Sequence, residues 1–137
     1  DRPEDPQSMD QMMKAMGAEP IDWPHKVECC GAGFSVTRTD IVAKLSGKIV
    51  EDATRRKADA IVTACPMCHS NLDMRRDHIE KLAGKSLRIP VLYITQAIGL
   101  ALGVSHKELG LQRHLVPVPA SLGETAPRPA TVATGGK

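Results

Sequence analysis

Asp59-Ala60-Ile61-Val62-Thr63-Ala64-Cys65-Pro66-Met67-Cys68 is the stretch from which the fold can be read. Its first six residues are short, apolar and β-branched, as in a parallel-sheet strand covered on both faces. Pro66 suits the first position of a helix, which makes Cys65 the N-cap and Cys68 the third helical residue. Leu72, Met74, Ile79 and Leu82 continue the apolar pattern to about Leu82, and Gly84 stops it. A strand thus feeds a helix, and two thiols sit at the turn between them.

The same alternation extends in both directions. Upstream, Lys26-Val27-Glu28 reads as a short strand entering the glycine-rich loop Cys29-Cys30-Gly31-Ala32-Gly33. From Asp40 to about Lys57, Ile41, Leu45, Ile49 and Ala53 fall at helical spacing, with Thr39 as a cap. Downstream, Ile89 to Ile94 predicts a third strand, a helix follows over about Gln96 to Leu102, and Ser105 with Glu108 forms a capping-box pattern for another short helix. Nearer the start, Asp5-Pro6-Gln7-Ser8 offers an N-cap, and Met9, Met12, Met13 and Met16 form one face of a helix ended by Gly17. The expected fold is α/β: a small, Rossmann-like parallel sheet in the order βαβαβα with an extended C-terminal tail. Residues 1–115 form the folded domain, and residues 116–137, rich in proline and small residues, form the tail.

Composition sets the outer limits. The chain has 137 residues, 42% hydrophobic and 25% charged, which is ordinary for one globular domain. Its three aromatics, Trp23, Phe34 and Tyr93, and its net charge of +2 argue against a base-stacking nucleic-acid surface. The longest stretch without charged residues or histidine, Ile89 to Ser105, contains Pro90, Gly99 and Gly103 and is shorter than the ~20 apolar residues of a spanning helix, so no membrane span is expected. The polar, proline-containing N-terminus has no signal-peptide pattern, and a cytoplasmic location is expected. The chain begins at Asp1 without an initiator methionine, as a fragment or part of a larger subunit would.

The four cysteines carry the chemistry. Ligands in open α/β sheets bind beyond the carboxyl ends of the strands, and Cys29-Cys30 and Cys65/Cys68 both fall there. Disulfides suit a chain with no export signal poorly, and adjacent cysteines bond to each other only with strain. A four-cysteine zinc site normally uses two Cys-x-x-Cys knuckles, whereas one knuckle here is a vicinal pair whose side chains diverge. Such a pair reaches two metal atoms more readily, which favours a multi-iron cluster held by soft thiolates. A Cys65/Cys68 dithiol redox pair is a further reading, although it leaves Cys29 and Cys30 idle. The N-terminus of the Cys65 helix and the glycines at 31 and 33 would direct backbone N–H groups at an anionic group.

Cys29-Cys30-Gly31, followed by Cys65-Pro66-Met67-Cys68 with Asn71-Leu72, resembles the CCG cysteine-rich domain. The Ser-Met-Asp, Gly-Ala-Glu-Pro and Asp-Trp-Pro stretches ahead of it are most similar to the B subunit of heterodisulfide reductase, over roughly residues 1–102. That resemblance implies a non-cubane 4Fe-4S cluster with Cys29, Cys30, Cys65 and Cys68 as iron ligands and Gly31 beside the cofactor. It implies an oxidoreductase subunit that reduces a disulfide, either a thiol-cofactor heterodisulfide or a related sulfur substrate. Electrons would come from an iron–sulfur partner like the C subunit of the same enzyme. The family's full motif has a further cysteine before the vicinal pair, and none occurs among the 28 residues ahead of Cys29. The chain is therefore expected to be the C-terminal half of a subunit, inactive by itself, with zinc an alternative occupant of the site. A zinc-stapled, non-catalytic interaction module is the competing reading.

His69, directly after Cys68, is the candidate catalytic residue. It could donate to a cluster sulfur, protonate a leaving thiolate or ligate zinc, and a capping role suits it equally. His25, His78, His106 and His114 are expected to be solvated, as are Arg75-Arg76 and Arg55-Arg56-Lys57. Ser70 and Asn71 either bond within their helix or line the pocket.

Overall fold

The computed structural model describes residues 1–123. Five α-helices and two strands follow the order α1 (Ser8–Ala15), α2 (Thr39–Arg55), β1 (Ile61–Thr63), α3 (Pro66–Asp73), α4 (Arg76–Ala83), β2 (Val91–Tyr93) and α5 (Ile94–Ala101). Strands β1 and β2 pair in parallel, with Ile61 opposite Val91, Val62 opposite Leu92 and Thr63 opposite Tyr93. The fold is mixed α/β, built on one β-α-α-β crossover. Its core joins Ile49, Val50 and Ala53 of α2 to Ile61, Leu72, Ile79, Leu87, Ile89 and Val91. Of the stripe read from the spacing of α2, Ile49 and Ala53 lie in this core, Val50 joins them, and Ile41 and Leu45 are half-buried.

The expected first strand does not form. Pro24–Val27 is a 3-10 turn with Pro24 at its start, and Val27 remains 51% exposed. Lys26 is held instead by carboxylates, with Nζ 2.6 Å from Asp10 and 3.2 Å from Asp5. Pro24, with its φ fixed, suits the first position of this four-residue turn, which takes up Lys26 and Val27 of the expected strand. The sheet accordingly has two strands among the described residues, where three were expected.

The single helix expected from Pro66 to Leu82 is two helices, interrupted at Met74 and Arg75. The Leu72 carbonyl accepts from Nε and Nη2 of Arg76, at 3.1 and 2.9 Å, so a side chain takes a backbone acceptor of the helix. Nη1 of Arg76 bonds the Leu87 carbonyl and lies 2.8 Å from the Ile89 carbonyl. Arg76, expected on a solvated face, is only 2% exposed. It ties the helix break to the segment entering β2.

The remaining differences are local. Ser105 and Glu108 exchange capping-box hydrogen bonds, including Ser105 Oγ to Glu108 at 2.6 Å, but they close a turn and not a helix. Gly110, at φ +71°, then directs the chain into the 3-10 turn Leu111–Arg113. Thr39 is the first residue of α2 and Arg38 occupies the cap position, while α1 begins at Ser8, whose N–H is taken by the Asp1 carboxylate at 2.9 Å. Of the methionine face, Met13 is buried and Met12 is exposed. Beyond the expected domain limit, Val116 is buried, and Asp73 accepts the N–H groups of Leu115 and Val116 at 2.9 and 3.1 Å. Residues 124–137 of the expected tail lie outside the described residues.

Candidate functional site

The vicinal pair is shaped by its glycine. Gly31 has φ +87°, a left-handed conformation that side chains oppose, and a Cβ there would lie 3.2 Å from Val42 Cα in α2. Only glycine lets this loop lie so close to α2. The turn sends the two cysteines in different directions, as the vicinal spacing implied. Cys29 is exposed and its sulfur accepts the Gly31 N–H at 3.3 Å, whereas Cys30 is 1% exposed and points inward. Ser46 of α2 donates to the Cys30 carbonyl at 3.0 Å and anchors the loop from beneath.

The second pair stands where the sequence put it. Strand β1 ends at Thr63, Cys65 caps α3 with extended backbone, and Pro66 opens the helix. The Cys65 N–H donates to Thr63 Oγ1 at 3.3 Å, which turns the chain sharply from strand to helix. The Cys65 thiol is pulled below its ordinary range, first by the backbone N–H of Cys68, then by the Cys68 side chain and by the N–H of Met67. This is the stabilisation of an anion by the donors of a helix N-terminus. Cys68 behaves oppositely: burial first, then the sulfurs of Cys30 and Cys65, push its thiol up to about 12.

The two loops meet at their sulfurs. Cys30 Sγ and Cys68 Sγ are 3.2 Å apart. Tetrahedral coordination with metal–sulfur bonds of about 2.3 Å sets sulfurs roughly 3.8 Å apart, so a modest spreading of this pair would admit a metal ion. Among the described residues, no three Cys, His, Asp or Glu side chains already enclose a common point. Cys30 meets Cys68, Cys65 stands one turn before Cys68 at the start of α3, and Cys29 lies on the solvent side of the loop that carries Cys30.

Three polar residues support this sulfur group. Asn71 Nδ2 approaches the Cys30 sulfur at 3.5 Å, Ser35 bonds the Asn71 amide at 3.1 Å, and Arg75 Nε donates to Asn71 Oδ1 at 3.1 Å. Arg75 also donates to the Ser35 carbonyl at close range. Asn71 therefore lines the site, which resolves the alternative left open by its position. Arg75 belongs to this network and not to the solvated face expected of it. Ser35 carried no signal in the sequence, because its role depends on the loop after Gly31 folding over α3.

His69 is buried beneath the site. Its Nε2 lies 3.1 Å from the Val91 carbonyl, which can only accept, so Nε2 carries the proton and Nδ1 keeps the lone pair. The ring stacks on Tyr93 at 4.2 Å and meets the edge of His114 at 4.8 Å. Burial first, and then His114, lower its pKa and keep the ring neutral. Several other histidines differ from expectation: His25 Nδ1 lies 2.9 Å from Glu28, His106 Nε2 3.1 Å from the Leu122 carbonyl, and His114 Nε2 2.9 Å from Gln96. His106 and His114 are held by hydrogen bonds to residues distant in sequence, which composition does not reveal.

No helix among the described residues is long and apolar enough to cross a membrane. Comparison with known proteins places the constellation in a family. A segment of 111 residues is 33% identical to the membrane anchor subunit of the 8-methylmenaquinol:fumarate reductase of Wolinella succinogenes, covering 81% of this chain and 39% of the relative. A segment of 115 residues is 36% identical to the B subunit of the ferredoxin/F(420)H(2)-dependent CoB-CoM heterodisulfide reductase of Methanosarcina acetivorans, covering 82% and 38%. The B subunit of the ferredoxin:CoB-CoM heterodisulfide reductase of Methanosarcina mazei is 34% identical over 115 residues, with the same coverage of 82% and 38%. The chain thus spans about two fifths of the length of these relatives. The family model for the cysteine-rich domain, CCG, matches residues 1–73, from α1 through the vicinal pair and the Cys65 turn to the end of α3. On these matches, the chain belongs to the CCG cysteine-rich domain family.

Proposed function

We propose that this chain is the thiolate-bearing domain of an oxidoreductase subunit of the heterodisulfide reductase type, acting on a disulfide. The observation that carries this reading is the meeting of Cys30, from the vicinal-pair loop, with Cys68, from the helix after β1, at 3.2 Å. Two loops separated by 38 positions deliver soft donors to one place, in a family whose named relatives include the B subunits of heterodisulfide reductases.

Cys29, Cys30, Cys65 and Cys68 are the residues that would hold a non-cubane 4Fe-4S cluster. The donor chemistry fits, since all four are free thiols and the two loops that carry them meet at Cys30 and Cys68. When bound, such a cluster supplies single electrons and a soft metal site for sulfur. The N-terminus of α3 stabilises negative charge at Cys65 through the N–H groups of Cys68 and Met67. Asn71 places an amide beside the Cys30 sulfur and withdraws charge from it. Exposed Cys29 and Cys65 mark the side from which a substrate sulfur would approach.

Disulfide reduction consumes two electrons and two protons and yields two thiols. Electrons would come from an iron–sulfur partner protein, in keeping with the multisubunit reductases named among the relatives. The test is oxygen-free purification of the full-length subunit, with iron and acid-labile sulfide analysis and assay of disulfide reduction by a reduced dye. Iron, sulfide and visible charge-transfer absorption lost on Cys29→Ser are expected. A colourless protein with one zinc per chain, unfolding when chelated, would replace this reading with a zinc-stapled interaction module.

A further inference from the structure

The sequence suggests that oxidation would join Cys65 to Cys68, the Cys-x-x-Cys pair at the helix N-terminus. The sulfur positions select a different pair. We propose that, in the metal-free chain, Cys30 and Cys68 form an intrachain disulfide when the site meets a low-molecular-weight disulfide, making the site a dithiol switch.

The two sulfurs are already 3.2 Å apart, and a bond of about 2.05 Å requires an approach of only about 1.2 Å. Cys29 cannot substitute easily. Its sulfur turns back to the Gly31 N–H on the exposed side of the loop, and a bond to its neighbour Cys30 would strain the peptide between them. Cys30 is 1% exposed, so no external oxidant reaches it directly. Exposed Cys65, at the N-cap of α3 with Cys68 in the first turn, supplies the route.

The steps balance as thiol–disulfide exchange. The Cys65 thiolate attacks one sulfur of the external disulfide and expels the first small thiolate. Cys68 attacks the Cys65 sulfur and expels the second. Cys30 then attacks the Cys68 sulfur, and Cys65 leaves as a thiolate at the helix N-terminus. Cys30 and Cys68 lose two electrons together, the external disulfide gains them, and the two thiol protons pass to the released thiolates. The product buries a neutral disulfide where two ionisable thiols had been. It also removes two of the four sulfur donors on which metal binding depends, so reduction would have to precede loading.

The test uses the whole 137-residue chain, reduced, freed of metal with a chelator, incubated with oxidised glutathione, quenched in acid and alkylated. Trypsin leaves Cys29 and Cys30 on the peptide 27–38, and Cys65 and Cys68 on the peptide 58–75. The expected result is these two peptides linked, two hydrogens lighter than their sum, with fragmentation placing the bond between Cys30 and Cys68. The link should persist in Cys65→Ser, formed more slowly, and be lost in Cys68→Ser, with circular dichroism confirming that both variants fold. Either peptide closed on itself, a link through Cys29 or Cys65, or glutathione adducts alone would overturn the proposal. Because the mapping is done without metal, its outcome is independent of whether the full-length subunit contains iron.

Discussion

Asn71 Nδ2 lies 3.5 Å from the Cys30 sulfur although the two residues are 41 positions apart, and the same amide binds Ser35 and Arg75. One buried side chain thereby fastens the vicinal-pair loop to the helix that carries the second pair. Replacing it by alanine leaves the Ser35 hydroxyl and the Arg75 guanidinium without this partner. Asn71→Ala should lower stability by about 1–3 kcal/mol in urea unfolding, by the usual cost of orphaning buried polar groups. It should also speed alkylation of Cys30, and protection equal to that of the wild type would contradict the fastening role.

Gly31 offers a second test of the loop. A side chain there meets the α2 backbone at Val42 and must also adopt φ +87°. Gly31→Ala should cost at least about 1–2 kcal/mol from the left-handed backbone alone, read by urea unfolding. Gly33, where a Cβ meets nothing within 4 Å, is the control, and Gly33→Ala should be milder.

Arg76 gathers the Leu72, Leu87 and Ile89 carbonyls in the interior. Arg76→Ala orphans all three and should destabilise by about 3 kcal/mol or more, at about 1–3 kcal/mol per unsatisfied buried group. Arg76→Lys keeps the charge but lacks the planar fork, and should recover only part of the loss. Thermal unfolding of both variants checks the order.

The thiols should differ in reactivity. Cys65 is exposed and its thiolate is favoured by helix N–H groups, while Cys68 is half-buried and holds its proton. With iodoacetamide near neutral pH, Cys65 should be labelled at least about tenfold faster than Cys68. Peptide mapping at short times reads this directly, and equal rates would refute the helix-terminus effect.

Cys68 also predicts a pH dependence. The thiol ionises near 9.0 without its folded surroundings and at about 12 within them, so the folded state binds the extra proton between those values. Its stabilising contribution is complete below 9.0 and is lost as the pH rises through the window toward 12. Urea unfolding between about pH 8 and about pH 10 should show the wild type losing stability faster than Cys68→Ala, whose curve lacks that proton.

The sequence by itself determined the strand at Ile61–Thr63, the cap at Cys65, the proline opening of α3 and the divergence of Cys29 from Cys30. These features are local, since β-branched runs, Pro66 and a glycine after a vicinal pair act within a few residues. Tertiary structure decided the rest. Lys26 chose the carboxylates of Asp5 and Asp10 over a strand, and Arg76 broke a helix that periodicity alone would have continued. Ser35, Asn71 and Arg75 became one network only when the loop after Gly31 crossed α3. The closeness of the Cys30 and Cys68 sulfurs likewise follows from how α2 and β1 set two loops against each other. Spacing along the chain identifies which residues can bind sulfur-loving groups, but the distance between two sulfurs is set by the packing of the elements beneath them.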